Sequence, residues 1–193
     1  MKKHKTIILS LLLIGSFQFS TIAQTDQNKS KLAYSVSYWQ GIKSDNGFQL
    51  GIEKYRLETE KFDVLVNASM LLQQRSDLYT SVALTVGSTL RRNYSWGLYF
   101  DHSVKAGYAG QTHNFDIYKT NSNDELVNIG RSWISYAIVG YSFAIGYDLS
   151  KITKVDFSLF VRPNIYLKLP NKENLFLLNN YGVEVGLAYR PSF

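Results

Sequence analysis

The chain of 193 residues contains no cysteine. That excludes a disulfide framework, a thiolate metal site, a cysteine nucleophile and a lipid-modified cysteine at the amino terminus. Proline is scarce, with 3 copies, and the 3 histidines leave little material for histidine-based metal or acid–base sites. No long apolar run exists outside the first residues, and a mean hydropathy of −0.15 is too polar for a helical membrane protein. Charge is also modest. Taking away Lys2, Lys3 and Lys5 with the amino-terminal segment reduces 21 basic side chains to 18 against 15 acidic, so the net charge falls from +6 to +3. That excess is too small, and too free of basic stripes with interleaved aromatics, to imply nucleic acid.

What is plentiful is tyrosine (14 copies) and glycine (13). Residues 1–23 read as a secretory signal peptide, with a basic start, an apolar stretch from Ile7 to Ile14, and a small-x-small site at Thr21-Ile22-Ala23. Residues 24–31 form a short polar lead. From Leu32 onward the dominant period is two. Trp96, Leu98, Phe100, His102, Val104, Ala106 and Tyr108 alternate with Gly97, Tyr99, Asp101, Ser103, Lys105 and Gly107. A helix would mix these sets, so the stretch is a strand between two unlike environments. The same alternation recurs over Leu32–Gly41, Phe48–Leu57, Phe62–Gln73, Tyr79–Arg91, Val139–Leu149, Val155–Lys168 and Tyr181–Arg190.

Eight strands in all predict an all-β fold over residues 32–193, an eight-stranded antiparallel transmembrane up-and-down β-barrel. One face of each strand is branched or aromatic. The other mixes Gly, Ser and Ala with Glu53, Asp101, Lys105, Asp156, Arg162, Glu184 and Arg190. A basic residue facing mid-bilayer lipid costs about 2–4 kcal/mol, so the charges point inward, into a lumen that eight strands leave just wide enough to fill. A soluble lipocalin-like ligand-binding barrel is the alternative, with the two faces reversed.

Short connections at Thr59–Lys61, Arg92–Ser95 and Ser150–Thr153 alternate with Lys43–Gly47, Arg75–Leu78, Gln111–Arg131 and Pro170–Leu175. Gln111–Arg131 is by far the longest and is rich in Asn, Asp, Ser and Thr. If the shorter turns face the periplasm, the longer loops are external. Trp96–Tyr108, Trp133–Tyr147 and Tyr181–Phe193 span about 30, 35 and 30 Å at the usual rise and tilt, as aromatic girdles flanking an apolar band require.

The ending Gly186-Leu187-Ala188-Tyr189-Arg190-Pro191-Ser192-Phe193 resembles the carboxy-terminal recognition signal of outer-membrane barrels. Gly146-Tyr147-Asp148-Leu149-Ser150-Lys151 and Phe160-Val161-Arg162-Pro163 resemble small eight-stranded bacterial outer-membrane β-barrel proteins of uncharacterised function. The resemblance covers roughly the second half of the chain and implies a location in the Gram-negative cell outer membrane. It also implies outer-membrane lipid as surroundings and the barrel assembly machinery as a partner reading Phe193. Pro191 departs from the pattern by removing a ladder donor.

No catalytic, cofactor or metal constellation is found. His102 is the one residue with an enzymatic reading, as part of a lipid-modifying site with a serine from a neighbouring strand, such as Ser88 or Ser135; the plainer reading is an outer-leaflet or aromatic-cluster histidine. Asn114, Asp116, Asn121, Asn123, Asp124 and Glu125 lack the regular spacing and glycine of a calcium loop. The sequence therefore predicts a non-enzymatic barrel with a structural, adhesive or partner-binding role exercised through residues 111–131.

Overall fold

The computed structural model describes residues 31–42, 45–76, 78–120, 124–130, 133–153, 155–169 and 178–191. The residues expected to form a signal peptide (1–23), most of the expected polar lead and Phe193 lie outside the described residues. Eight strands close into an antiparallel barrel: β1 (Leu32–Gly41), β2 (Asn46–Glu58), β3 (Phe62–Arg75), β4 (Tyr79–Asn93), β5 (Leu98–His113), β8 (Trp133–Asp148), β9 (Phe157–Leu169) and β10 (Leu178–Tyr189). Strands β6 (Ile117–Thr120) and β7 (Leu126–Gly130) form a separate hairpin between β5 and β8. Closure leaves no free edge, so the barrel strands can satisfy their backbone groups without water.

Register fixes the tilt. Partners followed from Leu32 through Lys54, Val66, Ser88, Val104, Tyr141, Ile165 and Tyr181 arrive at Ile42, whose amide donates to the Tyr181 carbonyl at 3.1 Å. The circuit thus ends ten residues further along the chain from its start, from 32 to 42, a stagger that goes with strands inclined about 40° to the axis. Pro163, lacking an amide hydrogen, interrupts the β8–β9 ladder between the pairs Ser142↔Asn164 and Ile145↔Val161. Pro191 lies beyond β10 and costs no ladder bond, contrary to the sequence expectation.

The two faces of the wall are inverted relative to a soluble protein. Val36, Leu50, Val66, Leu84, Val104, Val139, Val161 and Val185 are exposed on the outside. Buried inside are Gln49, Glu53, Asn67, Arg91, Asp101, Lys105, Arg162 and Glu184. This overturns the lipocalin-like alternative, which needs an apolar interior. Crowding in the lumen also explains its glycines. The inward rings of Tyr99 and Trp39 lie directly over Gly146 and Gly182, where any β-carbon would collide with them.

Aromatic rings border the apolar band. At the end bearing the short turns lie Tyr94, Trp96, Phe100, Tyr147, Phe157 and Tyr189, with Phe157 and Tyr189 5.0 Å apart. Toward the other end lie Tyr38 and Phe48, 5.6 Å apart, with Tyr108 and Tyr181. Two sequence expectations need correction. Trp96 sits in the turn before β5, because Gly97 adopts φ +104° and ends the run. Trp133 stands four positions beyond Ala137, the partner of Tyr108, which places it about 10 Å outside the upper girdle.

Candidate functional site

Three places could carry a function: the lumen, the surroundings of His102 and the β6–β7 hairpin. In the lumen, alternation brings Glu53 (β2), Arg91 (β4), Asp101 and Lys105 (β5), Arg162 (β9) and Glu184 (β10) into one layer. Arg91 grips Asp101 through two parallel bonds, Nε to Oδ1 at 2.8 Å and Nη2 to Oδ2 at 2.9 Å. It also reaches Glu53 at 3.3 Å and donates to the Tyr55 hydroxyl at 2.7 Å. Arg162 bridges Glu53 at 3.4 Å, Asp101 at 3.7 Å and Glu184 at 3.6 Å. Glu184 further accepts from Gln49 Nε2 at 3.1 Å and Ser37 Oγ at 3.4 Å. Three carboxylates and three bases make the layer neutral, the condition under which buried charges are tolerable. Lys105 is buried there, and among the described residues no carboxylate is in ion-pair contact with it.

Above this layer Trp39, Leu71, Ala83, Ala109, Tyr136, Ile138 and Tyr166 form an apolar plug. Asp45, from the β1–β2 loop, caps it: its carboxylate is buried and accepts from Gln73 Nε2 at 3.0 Å and the Tyr79 hydroxyl at 2.8 Å. Below the layer, a cavity of about 810 Å³ opens at the short-turn end, lined by Tyr55, Asp63, Arg91, Asn93, Tyr99 and Arg190 among others. Arg190 lies over the Tyr55 ring at 3.8 Å and pairs with Glu58 at 2.7 Å at this rim. The axis is thus filled over the height of the charged layer and the plug.

Of the charges expected to point inward, Glu53, Asp101, Lys105, Arg162 and Glu184 do so in mid-barrel. Arg190 is at the rim, and Asp156 precedes β9 rather than lying within it. Arg91 and Asp45 went unrecognised from the sequence. The phase of Leu84, Val86, Leu90 and Arg92 on the outer face would have placed Arg91 inside; no pattern marks Asp45, which sits in a turn.

His102 projects outward, four positions from the start of β5. Its Nδ1 is 2.7 Å from the Tyr141 hydroxyl, and its ring lies 5.2 Å from that of Phe143. Four positions correspond to about 10 Å along the normal, so the ring belongs to the half of the band nearer the short turns. These contacts with Tyr141 and Phe143 are those of the aromatic-cluster reading. Ser88, beside Val104, donates to the Leu65 carbonyl at 3.3 Å. Ser135, opposite Gly110, accepts from Trp133 Nε1 at 3.0 Å and is eight positions from Gly110 to His102 along β5. Neither serine is assembled with His102.

The segment expected as one long loop contains two strands. Strand β5 runs to His113, and the following residues turn into the β6–β7 hairpin, which pairs with no barrel strand. Phe115, Tyr118, Leu126 and Val127 are exposed on it. Asp116 accepts from Asn128 Nδ2 at 3.4 Å, and among the described residues no group of acidic side chains with metal-holding geometry occurs.

No protein-family profile matches the chain, and no curated protein matches it. Among solved structures, the attachment invasion locus protein Ail of Yersinia pestis superposes with a TM-score of 0.51 at 11% identity, over 85% of this chain and 99% of that one. The fold is that of a small outer-membrane barrel. Neisserial surface protein A is similar at a TM-score of 0.49 and 9% identity over 86% of this chain and 99% of that one. The outer-membrane enzyme PagL gives 0.43 and 14% over 81% of this chain and 98% of that one. The closed sheet, the outward apolar face and the paired girdles together locate this barrel in an outer membrane.

Proposed function

We propose that the protein is a non-enzymatic outer-membrane barrel that holds the β6–β7 hairpin outside the membrane as a partner-binding, adhesive arm. The observation that carries this reading is the hairpin itself. Strand β5 extends five positions beyond Tyr108 of the upper girdle, and Tyr118, Leu126 and Val127 then stand exposed on a two-stranded sheet that no barrel strand completes. Apolar side chains and free strand edges in water are features of surfaces that receive a partner. The filled lumen supports the same reading, since a rigid, plugged barrel supplies anchorage rather than a channel. In Yersinia pestis an attachment protein is built on this architecture.

The test replaces residues 114–130 by a short Gly/Ser linker in cells displaying the barrel. Folding is read from heat-modifiable gel mobility and adhesion from retention on serum-protein-coated surfaces. The reading predicts an unchanged folded band and lost retention. Undiminished retention refutes it, and loss of the folded band makes the segment a structural element instead.

A further inference from the structure

Outward-facing charge on the barrel is confined to one place. Among the described residues, the ionisable side chains with a formal charge on the outer faces of the eight strands are Lys54 and Arg56 on β2 and Arg92 on β4. All are basic. They flank β3 at the short-turn end, where Lys54 pairs with Val66 and Arg92 with Phe62. At the opposite rim the outward positions of the same three strands are the neutral Asn46, Gln74 and Thr80. Lys61, exposed in the β2–β3 turn, adds a fourth base, with Glu60 as the acid beside it.

These bases are not spent internally. Among the described residues none of Lys54, Arg56, Lys61 and Arg92 forms a salt bridge. Arg56 projects where the β2–β3 register shifts between Tyr55 and Leu57, a bulge that turns an extra residue out of the ladder. Arg92 lies between two rings: its guanidinium carbon is 5.8 Å from the Phe62 ring centre and 5.3 Å from that of Tyr94. Such cation–π contacts leave its N–H groups to donate to phosphate oxygens. The apolar stems can lie along Val64, Val66 and Leu90 while the charged ends reach the interface.

We propose that this β2–β4 sector is a binding site for the phosphate headgroup of an anionic phospholipid in the leaflet that meets the short-turn end. The sector lies at the level of the lower aromatic girdle, where the headgroups of that leaflet begin. Tyr147, Phe157 and Tyr189 occupy the same level across the barrel without an outward base on their strands; Lys151, exposed in the turn after β8, lines the mouth of the lumen. The proposal is independent of the hairpin's role.

The full barrel, delipidated in a neutral detergent, is offered equal amounts of phosphatidylglycerol and phosphatidylethanolamine with identical acyl chains, and the bound ratio is read by native mass spectrometry. The expected preference for phosphatidylglycerol is about tenfold. Lys54→Gln, Arg56→Gln and Arg92→Gln combined should bring the ratio close to one. Lys54→Gln and Arg56→Gln alone, which remove no hydrogen bond or ion pair among the described residues, should each lower it about twofold and keep the test readable if the triple variant does not fold. Equal retention of the two lipids by the unaltered barrel, or an unchanged ratio in the variants, overturns the proposal. So does abolition of the preference by millimolar inorganic phosphate, which would make the sector a site for free anions.

Discussion

Replacing Arg162 with Met tests the lumen most sharply. The guanidinium reaches Glu53 at 3.4 Å, Asp101 at 3.7 Å and Glu184 at 3.6 Å. Without it, Glu53 and Asp101 keep Arg91, at 3.3 and 2.8 Å. Among the described residues Glu184 keeps the neutral donors Gln49 and Ser37, with the buried Lys105 of the same layer beyond ion-pair contact. One buried carboxylate therefore loses its ion pair, and breaking a buried pair in this way costs about 3–5 kcal/mol. Adding Glu184→Gln restores neutrality while retaining an acceptor for Gln49. The double variant should then recover about 2 kcal/mol or more relative to Arg162→Met alone. Arg190→Gln is the control, because its pair with Glu58 sits at a solvated rim and should be worth less than about 1 kcal/mol. Unfolding by urea in lipid vesicles, followed by tryptophan fluorescence, gives all four free energies. An Arg162→Met cost under about 1 kcal/mol, or no recovery on adding Glu184→Gln, refutes the ion-pair account.

Two further outcomes follow from contacts in the wall. Gly146→Ala places a methyl against the Tyr99 ring, and overpacking of this sort should cost about 1–3 kcal/mol; Tyr99→Leu in the same chain should relieve part of it, and a neutral Gly146→Ala would show that the ring does not lie there. His102→Phe strips the Tyr141 hydroxyl of its partner inside the apolar band, at about 1–3 kcal/mol. Adding Tyr141→Phe should return stability to near the starting value, and membrane-lipid mass spectra should be unchanged by either variant. An altered lipid profile on loss of His102 would instead support the enzymatic reading.

Much of this architecture was legible because a strand's period of two projects directly onto two solvents. Along β9, and along most of β5 and β10, every second residue is apolar, so strand, face and charged lumen could be read together. The limits of β1 follow the alternation to the residue. Elsewhere the pattern ran out for physical reasons. Strands β3, β4, β5 and β8 continue past the lipid band, where no solvent contrast imposes alternation, so the top of β5, from Gln111 to His113, falls within the expected loop. The β6–β7 hairpin was hidden in the same way. Ile117–Thr120 and Leu126–Gly130 are too short and too polar in context to stand out, and only their pairing reveals them. Arg91 was missed because Arg92 follows it and only one of two neighbours can face inward. Lys54, Arg56 and Arg92 broke the rule that charges face the lumen, and they did so where the apolar band ends and the rule ceases to apply. Asp45 is folded over the lumen by a turn, which no periodicity encodes.

The absence of cysteine makes the orientation of the wall directly measurable. Single cysteines placed in turn at 99–108 along β5, spin-labelled in bilayers, report collision rates with dissolved oxygen and with a polar nickel complex. Oxygen accessibility should peak at 100, 102, 104, 106 and 108 and dip at 101, 103 and 105, with little response to the nickel complex at 102–106. A pattern of the opposite phase, or labels at 102–106 that meet the polar complex freely on the outward positions, would mean that the apolar face does not look into lipid.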